Sequence, residues 1–92
     1  MTGLRFEWDP AKASANLKKH GIGFDEAMSA FEDEHGKLIA DPAHSQDEDR
    51  FVLLGLSTRL KLLVVCHCYR SKCNVIRIIS ARKATVAESR QY

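Results

Sequence analysis

The chain has 92 residues, 45% of them hydrophobic and 28% charged, which predicts one folded domain and excludes a disordered chain. It has no apolar run of bilayer length and nothing that resembles a signal peptide, so we expect no membrane association. Its three cysteines are an odd number, and we therefore expect a cytoplasmic protein with reduced thiols. The net charge of +2 is too small to indicate nucleic-acid binding by itself, but residues 59–83 carry seven Lys and Arg and no acid. A basic half of this kind suits phosphates or an acidic protein partner.

The first half predicts a strand followed by two helices. Residues 4–8 alternate apolar and polar side chains, which is typical of a half-buried strand. Asp9 and Pro10 are a favoured N-cap and first helical residue, and Gly21 is a favoured C-cap after a basic last turn. The second helix follows from an apolar stripe at helical spacing, formed by Phe24, Ala27, Met28 and Phe31.

The second half predicts four further strands and a short helix. The strands lie at 37–40, 50–57, 60–69 and 74–80, with a polar loop at 41–49. Short turns between the last three strands predict an antiparallel meander. Thr85 and Glu88 have the spacing of a capping box, so a helix is expected to run from there to Tyr92. The order β-α-α-β-β-β-β-α predicts an α+β fold with helices packed on an antiparallel sheet.

An arginine stands in the middle of the last predicted strand. Arg77 is flanked by β-branched apolar residues, whereas Arg82 and Lys83 are expected in a basic loop after the strand. Side chains alternate along a strand, so a regular strand would place Arg77 and Arg82 on opposite faces. Both could serve one site only if the chain turned after Ser80.

Cations on a sheet suggest RNA cleavage without a metal. Such a reaction needs a base for the ribose 2′-hydroxyl, cations for the pentacovalent phosphate, and an acid for the leaving oxygen. Arg50 and Arg77 could hold the phosphate, because a guanidinium contacts two oxygens at once. The candidates for proton transfer are His20, His44, Glu48 and Tyr92. The structural alternative is that the two arginines pair with Glu48, Asp41 or Glu7 and fix the strand register.

The other candidates also have structural explanations. Lys19 and His20 suit the C-terminus of the first helix through the helix dipole alone. His44 lies beside Ser45 in a segment that also reads as a turn. Thiols and an imidazole, which are zinc ligands, lie close together at Cys66, His67, Cys68 and Cys73. Strand alternation, however, points the His67 side chain to the opposite face from the thiols of Cys66 and Cys68. We therefore expect no metal site.

Three ordered blocks of residues together resemble a known family. The first block is Phe6 to Pro10 with Lys12, Asn16, Lys19 to Gly21, Phe24, Glu26 and Ala27; the second is Asp41, His44, Ser45, Glu48, Arg50 and Phe51; the third is Arg77 to Ala84 with Glu88 and Tyr92. This pattern covers nearly the whole chain and resembles the BrnT family of toxins from type II toxin–antitoxin systems. Gly23 departs from it, because a capping serine is common there, and the cysteines at 66–73 look peculiar to this chain.

The resemblance implies a RelE-like fold and a ribonuclease toxin that cleaves mRNA without metal or cofactor and inhibits translation. It also implies a hetero-oligomer with a BrnA-like antitoxin, through which alone the complex would bind operator DNA. Arg50, Arg77, Arg82 and Tyr92 match the scattered catalytic side chains of RelE-like nucleases. We expect His20 or Glu48 as base, Tyr92 or His44 as acid, and Arg82, Lys83, Lys19 and His44 as RNA contacts. The alternative is a binding module without catalysis, or a toxin that binds a protein target.

Overall fold

The structure, a computed structural model, describes residues 4–41, 49–70 and 72–92 of the chain. The elements are β1 (Arg5–Glu7), α1 (Pro10–His20), α2 (Phe24–Ser29) followed by a 3-10 turn (Ala30–Glu32), β2 (Lys37–Ala40), β3 (Arg50–Leu56), β4 (Leu62–Arg70), β5 (Val75–Lys83) and α3 (Val86–Ser89). Their order confirms the predicted α+β fold. None of the helices in these residues is long and apolar enough to cross a membrane.

The helices begin where their capping residues predict. The Asp9 carboxylate accepts a hydrogen bond from the Ala11 N–H at 2.9 Å, and Gly21 ends α1 with a φ of 71°, in the left-handed region. Gly23 leaves α2 without a side-chain cap. Thr85 and Glu88 form the predicted capping box, but α3 ends at Ser89, short of Tyr92.

The five strands form one sheet in the order β1-β5-β4-β3-β2. The predicted meander is confirmed, since β2, β3, β4 and β5 pair antiparallel in sequence. The first strand departs from the prediction of an all-antiparallel sheet, because β1 pairs parallel with β5. This position lets Phe6 face the core opposite Ile76 and pack edge-on against Phe31, with ring centroids 5.2 Å apart.

The two faces of the sheet differ in what covers them. One face packs against α2 and the 3-10 turn, and its central side chains Leu53, Val65 and Ile78 form the core with Ile22 and Phe24. Residues opposite each other in a sheet point to the same side, so the register assigns the other face too. We call it the arginine face, and it includes Arg50, Val52, Leu54, Val64, Cys66, Cys68, Arg70, Val75, Arg77, Ser80 and Arg82.

A β-bulge in β5 determines on which face of the sheet Arg82 lies. Ile78 pairs with His67 and Ser80 pairs with Cys66, so Ile79 is an extra residue on β5. The strand then continues to Lys83 instead of ending at Ser80. The prediction of a basic loop at Arg82 and Lys83 is therefore wrong, because β4 is long enough to pair with these residues. The bulge shifts the alternation by one residue, and Arg82 therefore shares a face with Arg77 without any turn after Ser80.

The turn between β3 and β4 is longer than predicted. Leu60 lies in the left-handed region with a φ of 63°, and its N–H donates to the Ser57 carbonyl at 2.9 Å. The Ser57 N–H donates to the Lys61 carbonyl at 2.8 Å and closes the turn. As a result, β4 begins at Leu62, and Leu60 is exposed.

Candidate nucleic-acid interface

Arg50 and Arg77 lie in one row across the sheet. Each pairs with Cys68 from a neighbouring strand, so the row reads Arg50, Cys68, Arg77 and then Glu7. Strands are spaced about 4.8 Å apart, which puts the two arginine Cα atoms about 10 Å from each other. Both guanidinium groups rise from the arginine face. The structure thus brings together the two residues that the sequence singled out for phosphate binding.

Each of these arginines also contacts a carboxylate. Arg77 Nη1 donates to Glu7 Oε2 at 2.9 Å, and both side chains are about half exposed, at 46% and 52%. Arg50 Nε lies 3.5 Å from the buried Asp41 carboxylate, yet this buried nitrogen makes no hydrogen bond to any described residue. These are two of the pairs that the structural alternative predicted. Exposed pairs contribute only about 0–1 kcal/mol, so a phosphate can compete for the Arg77 guanidinium.

Two further cations, Arg70 and Arg5, lie beside this row and were not predicted from the sequence. Arg70 follows Cys68 on the same face and lies 4.0 Å from the Asp49 carboxylate. Val75, which pairs with Arg70, also pairs with Arg5 on β1. The alternation along β4 could have predicted the position of Arg70, because Cys66, Cys68 and Arg70 fall on one face of any regular strand.

The Arg82 side chain forms a bidentate ion pair with Glu88 of the C-terminal helix. Its two terminal nitrogens donate to both oxygens of Glu88, each at 2.8 Å. The Arg82 guanidinium, followed by the Thr85 N–H, lowers the pKa of Glu88 to about 2, and the same bonds raise the pKa of Arg82. Val64, its partner on β4, is four residues from Cys68, so Arg82 lies about 13 Å along the sheet from the Arg50–Arg77 row. Lys83 is exposed and points to the opposite face.

Lys19 and His20 lie beside β5 at the end of α1. With Lys12, Ala15 and Asn16 they line a groove of about 210 Å³ whose other wall is Ile79 and Ser80. The bulge residue and its neighbour come directly after Ile78 and Arg77 in the strand. Of the predicted proton-transfer residues within the described ranges, His20 is therefore the one placed near the Arg50–Arg77 row.

Tyr92 lies at the other end of the sheet. Its hydroxyl donates to the Asp33 carboxylate, which also accepts the Leu56 N–H at 2.8 Å and the His35 N–H at 2.9 Å. The Tyr92 hydroxyl is the main cause that lowers the pKa of Asp33, and the carboxylate raises the pKa of Tyr92. Leu56 ends the strand that Arg50 begins, a separation of about 20 Å. The structure does not bring Tyr92 to the Arg50–Arg77 row.

Two predicted residues, His44 and Glu48, lie outside the described residues. The zinc candidates separate as the strand alternation predicts. His67 is buried in the core, where burial lowers its pKa and its ring packs edge-on against Phe31, whereas Cys66 and Cys68 belong to the arginine face. The described ranges contain no group of three or more His, Cys, Asp or Glu side chains placed to hold a metal ion.

Comparison with known proteins identifies the family. No curated protein matches the sequence. The family model for the ribonuclease toxin BrnT of type II toxin–antitoxin systems matches residues 8–88. The chain belongs to the BrnT family. The crystal structure of the Brucella abortus ribonuclease toxin BrnT shares the fold, with a TM-score of 0.69 at 21% identity over 89% of this chain and 97% of that one. Membership of a BrnT toxin family implies an antitoxin partner for this chain.

Proposed function

We propose that this BrnT-family toxin is a metal-independent endoribonuclease that cleaves single-stranded mRNA and thereby inhibits translation. The observation that carries the proposal is the row of Arg50 and Arg77 across the arginine face. Two arginines whose Cα atoms lie about 10 Å apart can hold one phosphate between their guanidinium groups, since each side chain is long enough to reach toward the middle. The family match to ribonuclease toxins supports the same chemistry.

The reaction needs no group beyond the chain and the substrate. The ribose 2′-oxygen attacks the adjacent phosphorus while His20 accepts the hydroxyl proton, and Arg50 and Arg77 neutralise the charge on the pentacovalent phosphate. The bond from phosphorus to the 5′-oxygen then breaks, and His44, the acid candidate from the sequence, would give that oxygen its proton as it leaves. The products are a 2′,3′-cyclic phosphate and a 5′-hydroxyl end. Glu48 as base and His44 as acid remain candidates from the sequence.

A BrnA-like antitoxin is the expected partner. It would neutralise the toxin in a hetero-oligomer and carry the part that binds operator DNA. The basic row on the arginine face suits an acidic segment of such a partner as well as RNA. A toxin that acts by binding a protein target is the second candidate, and the ion pairs of Arg50 and Arg77 favour it, because paired arginines are also found at purely structural positions.

Purified toxin tests the proposal on a single-stranded RNA in the presence of excess EDTA. We expect cleavage that leaves 2′,3′-cyclic phosphate ends and is unaffected by the chelator. Cleavage that stops with EDTA would contradict the metal-independent mechanism. Inhibition of a reconstituted translation reaction with every RNA intact would instead support a protein target.

A further inference from the structure

The groove between α1 and β5 has a rigid frame. The buried Asn16 side chain donates to the Ala81 carbonyl at 2.9 Å and accepts the Ala81 N–H at 3.1 Å, so its amide takes the place of a neighbouring strand. The same nitrogen donates to the Ile22 carbonyl at 2.9 Å. These bonds fix α1 against β5. Lys12 and Lys19 are seven residues apart on the same side of α1, about 10 Å along its axis.

The groove opens onto the arginine face. Ser80 belongs to its wall, and Ser80 pairs with Cys66 on that face. Ile79, the other wall residue, is the bulge itself, and bulges redirect the side chains around them. The wall begins two residues after Arg77, about 7 Å along the strand. A chain bound by Arg77 can therefore continue into the groove.

The cations of the groove differ from the arginines of the sheet in whether they form ion pairs. Four arginines of the arginine face lie against carboxylates: Arg50, Arg70, Arg77 and Arg82. Lys12, Lys19 and His20 make no ion pair with any residue in the described ranges. The positive charge of Lys12 and Lys19 is thus available to an incoming anion.

We propose that the α1–β5 groove is a second phosphate subsite, in which Lys12 and Lys19 bind the RNA backbone next to the phosphate held by Arg50 and Arg77. The subsite rests on the proposed function for the identity of its ligand. Lys12 was not among the RNA contacts predicted from the sequence. Lysine suits this role because flanking phosphates need charge, whereas the scissile phosphate needs the two-pronged geometry of arginine.

The salt dependence of RNA binding tests the subsite without any chemistry. The probe is a short single-stranded 2′-O-methyl RNA, which cannot be cleaved because it lacks the attacking hydroxyl. Each lysine–phosphate contact contributes about 0.7 to the slope of log K against log salt for a single strand. We expect Lys12→Ala and Lys19→Ala each to reduce the slope by about that amount. Lys18→Ala removes the same charge from an exposed position of α1 outside the groove and should leave the slope unchanged.

Three outcomes would overturn the subsite. The first is a slope for Lys12→Ala and Lys19→Ala equal to that of Lys18→Ala. The second is no binding of the RNA by the wild type. The third is unchanged RNA binding together with weaker antitoxin binding, which would assign the groove to the protein partner. Cleavage of unmodified RNA by the wild type is measured separately, so that a failed subsite and a failed nuclease proposal are distinguished.

Discussion

Arg77 and Glu7 form a pair that is ready to exchange partners. Both side chains are about half exposed and their contact joins a central strand to an edge strand. In water such a pair is weak, and a phosphate offers the guanidinium two oxygens with a full negative charge. We propose that the structural and functional interpretations of Arg77 describe two states of one side chain, with Glu7 contacting it when no RNA is bound.

Removal of the competing carboxylate separates these interpretations. We expect Glu7→Gln to strengthen binding of 2′-O-methyl RNA about threefold, because Arg77 no longer has to leave an acid, at a stability cost below about 0.5 kcal/mol. Fluorescence anisotropy at several salt concentrations measures the affinity. Glu34→Gln, an exposed acid that makes the same change in net charge, is the control. Weaker RNA binding by Glu7→Gln than by Glu34→Gln would mean that Arg77 serves strand register alone.

Arg82 shows the opposite case, an arginine fixed by its partner. Glu88 has a pKa of about 2 in the folded chain against an ordinary value of 4.5, so its ion pair stabilises the fold fully above about pH 5. That contribution falls as the pH drops from about 4.5 through about 2, where the folded carboxylate is protonated. Because the side chains of Arg82 and Glu88 are 40% and 33% exposed, we expect only about 1 kcal/mol.

Urea denaturation across pH measures this contribution. The wild type should exceed Glu88→Gln in unfolding free energy by about 1 kcal/mol at pH 7, and the difference should shrink toward zero by about pH 2. A difference that stays constant down to pH 2 would show that the Arg82–Glu88 pair is not its source.

Among the elements, α1 and β5 depend on each other through one side chain. Asn16 bonds Ala81 from 65 residues away, and no local pattern identifies that partner. The caps of α1 could be predicted because Asp9, Pro10 and Gly21 act on their own neighbours. The length of β5 could not, because β4 determines it: Cys66 opposite Ser80 and His67 opposite Ile78 create the bulge. Local signals predicted both ends of α1, and strand pairing decided how far β5 extends.

The Asn16 contacts should be worth a large part of the stability of α1 docking. Asn16→Leu keeps the volume but leaves the Ala81 N–H and carbonyl unsatisfied, which costs about 2–4 kcal/mol. Urea denaturation measures the loss, and hydrogen exchange at the Ala81 amide should accelerate at the same time. Ser14→Ala on the exposed side of α1 is the control. A loss below about 1 kcal/mol, or an unchanged Ala81 exchange rate, would contradict this account of the contact.

For the whole molecule, the fold decides which candidates can act together. The predicted meander put Arg50 and Arg77 on nearby strands, and the register places them on one face, on either side of Cys68. The position of Tyr92 could not be predicted, because it depends on where the chain goes after β5, and its hydrogen bond to Asp33 takes it to the far end of the sheet. The parallel pairing of β1 with β5 could not be predicted either, because the sequence of a three-residue edge strand is too short to indicate which strand it pairs with.

Cleavage by arginine variants at saturating enzyme is the direct test of whether Arg50 and Arg77 form the catalytic phosphate site. Single-turnover rates on an unmodified single-stranded RNA report the chemical step, apart from binding. If Arg50 and Arg77 stabilise the pentacovalent phosphate, Arg77→Ala and Arg50→Ala should each slow cleavage about 100-fold or more, while Lys18→Ala keeps the wild-type rate. An Arg77→Ala rate within about threefold of the wild type would contradict the assignment of the catalytic phosphate site to this row.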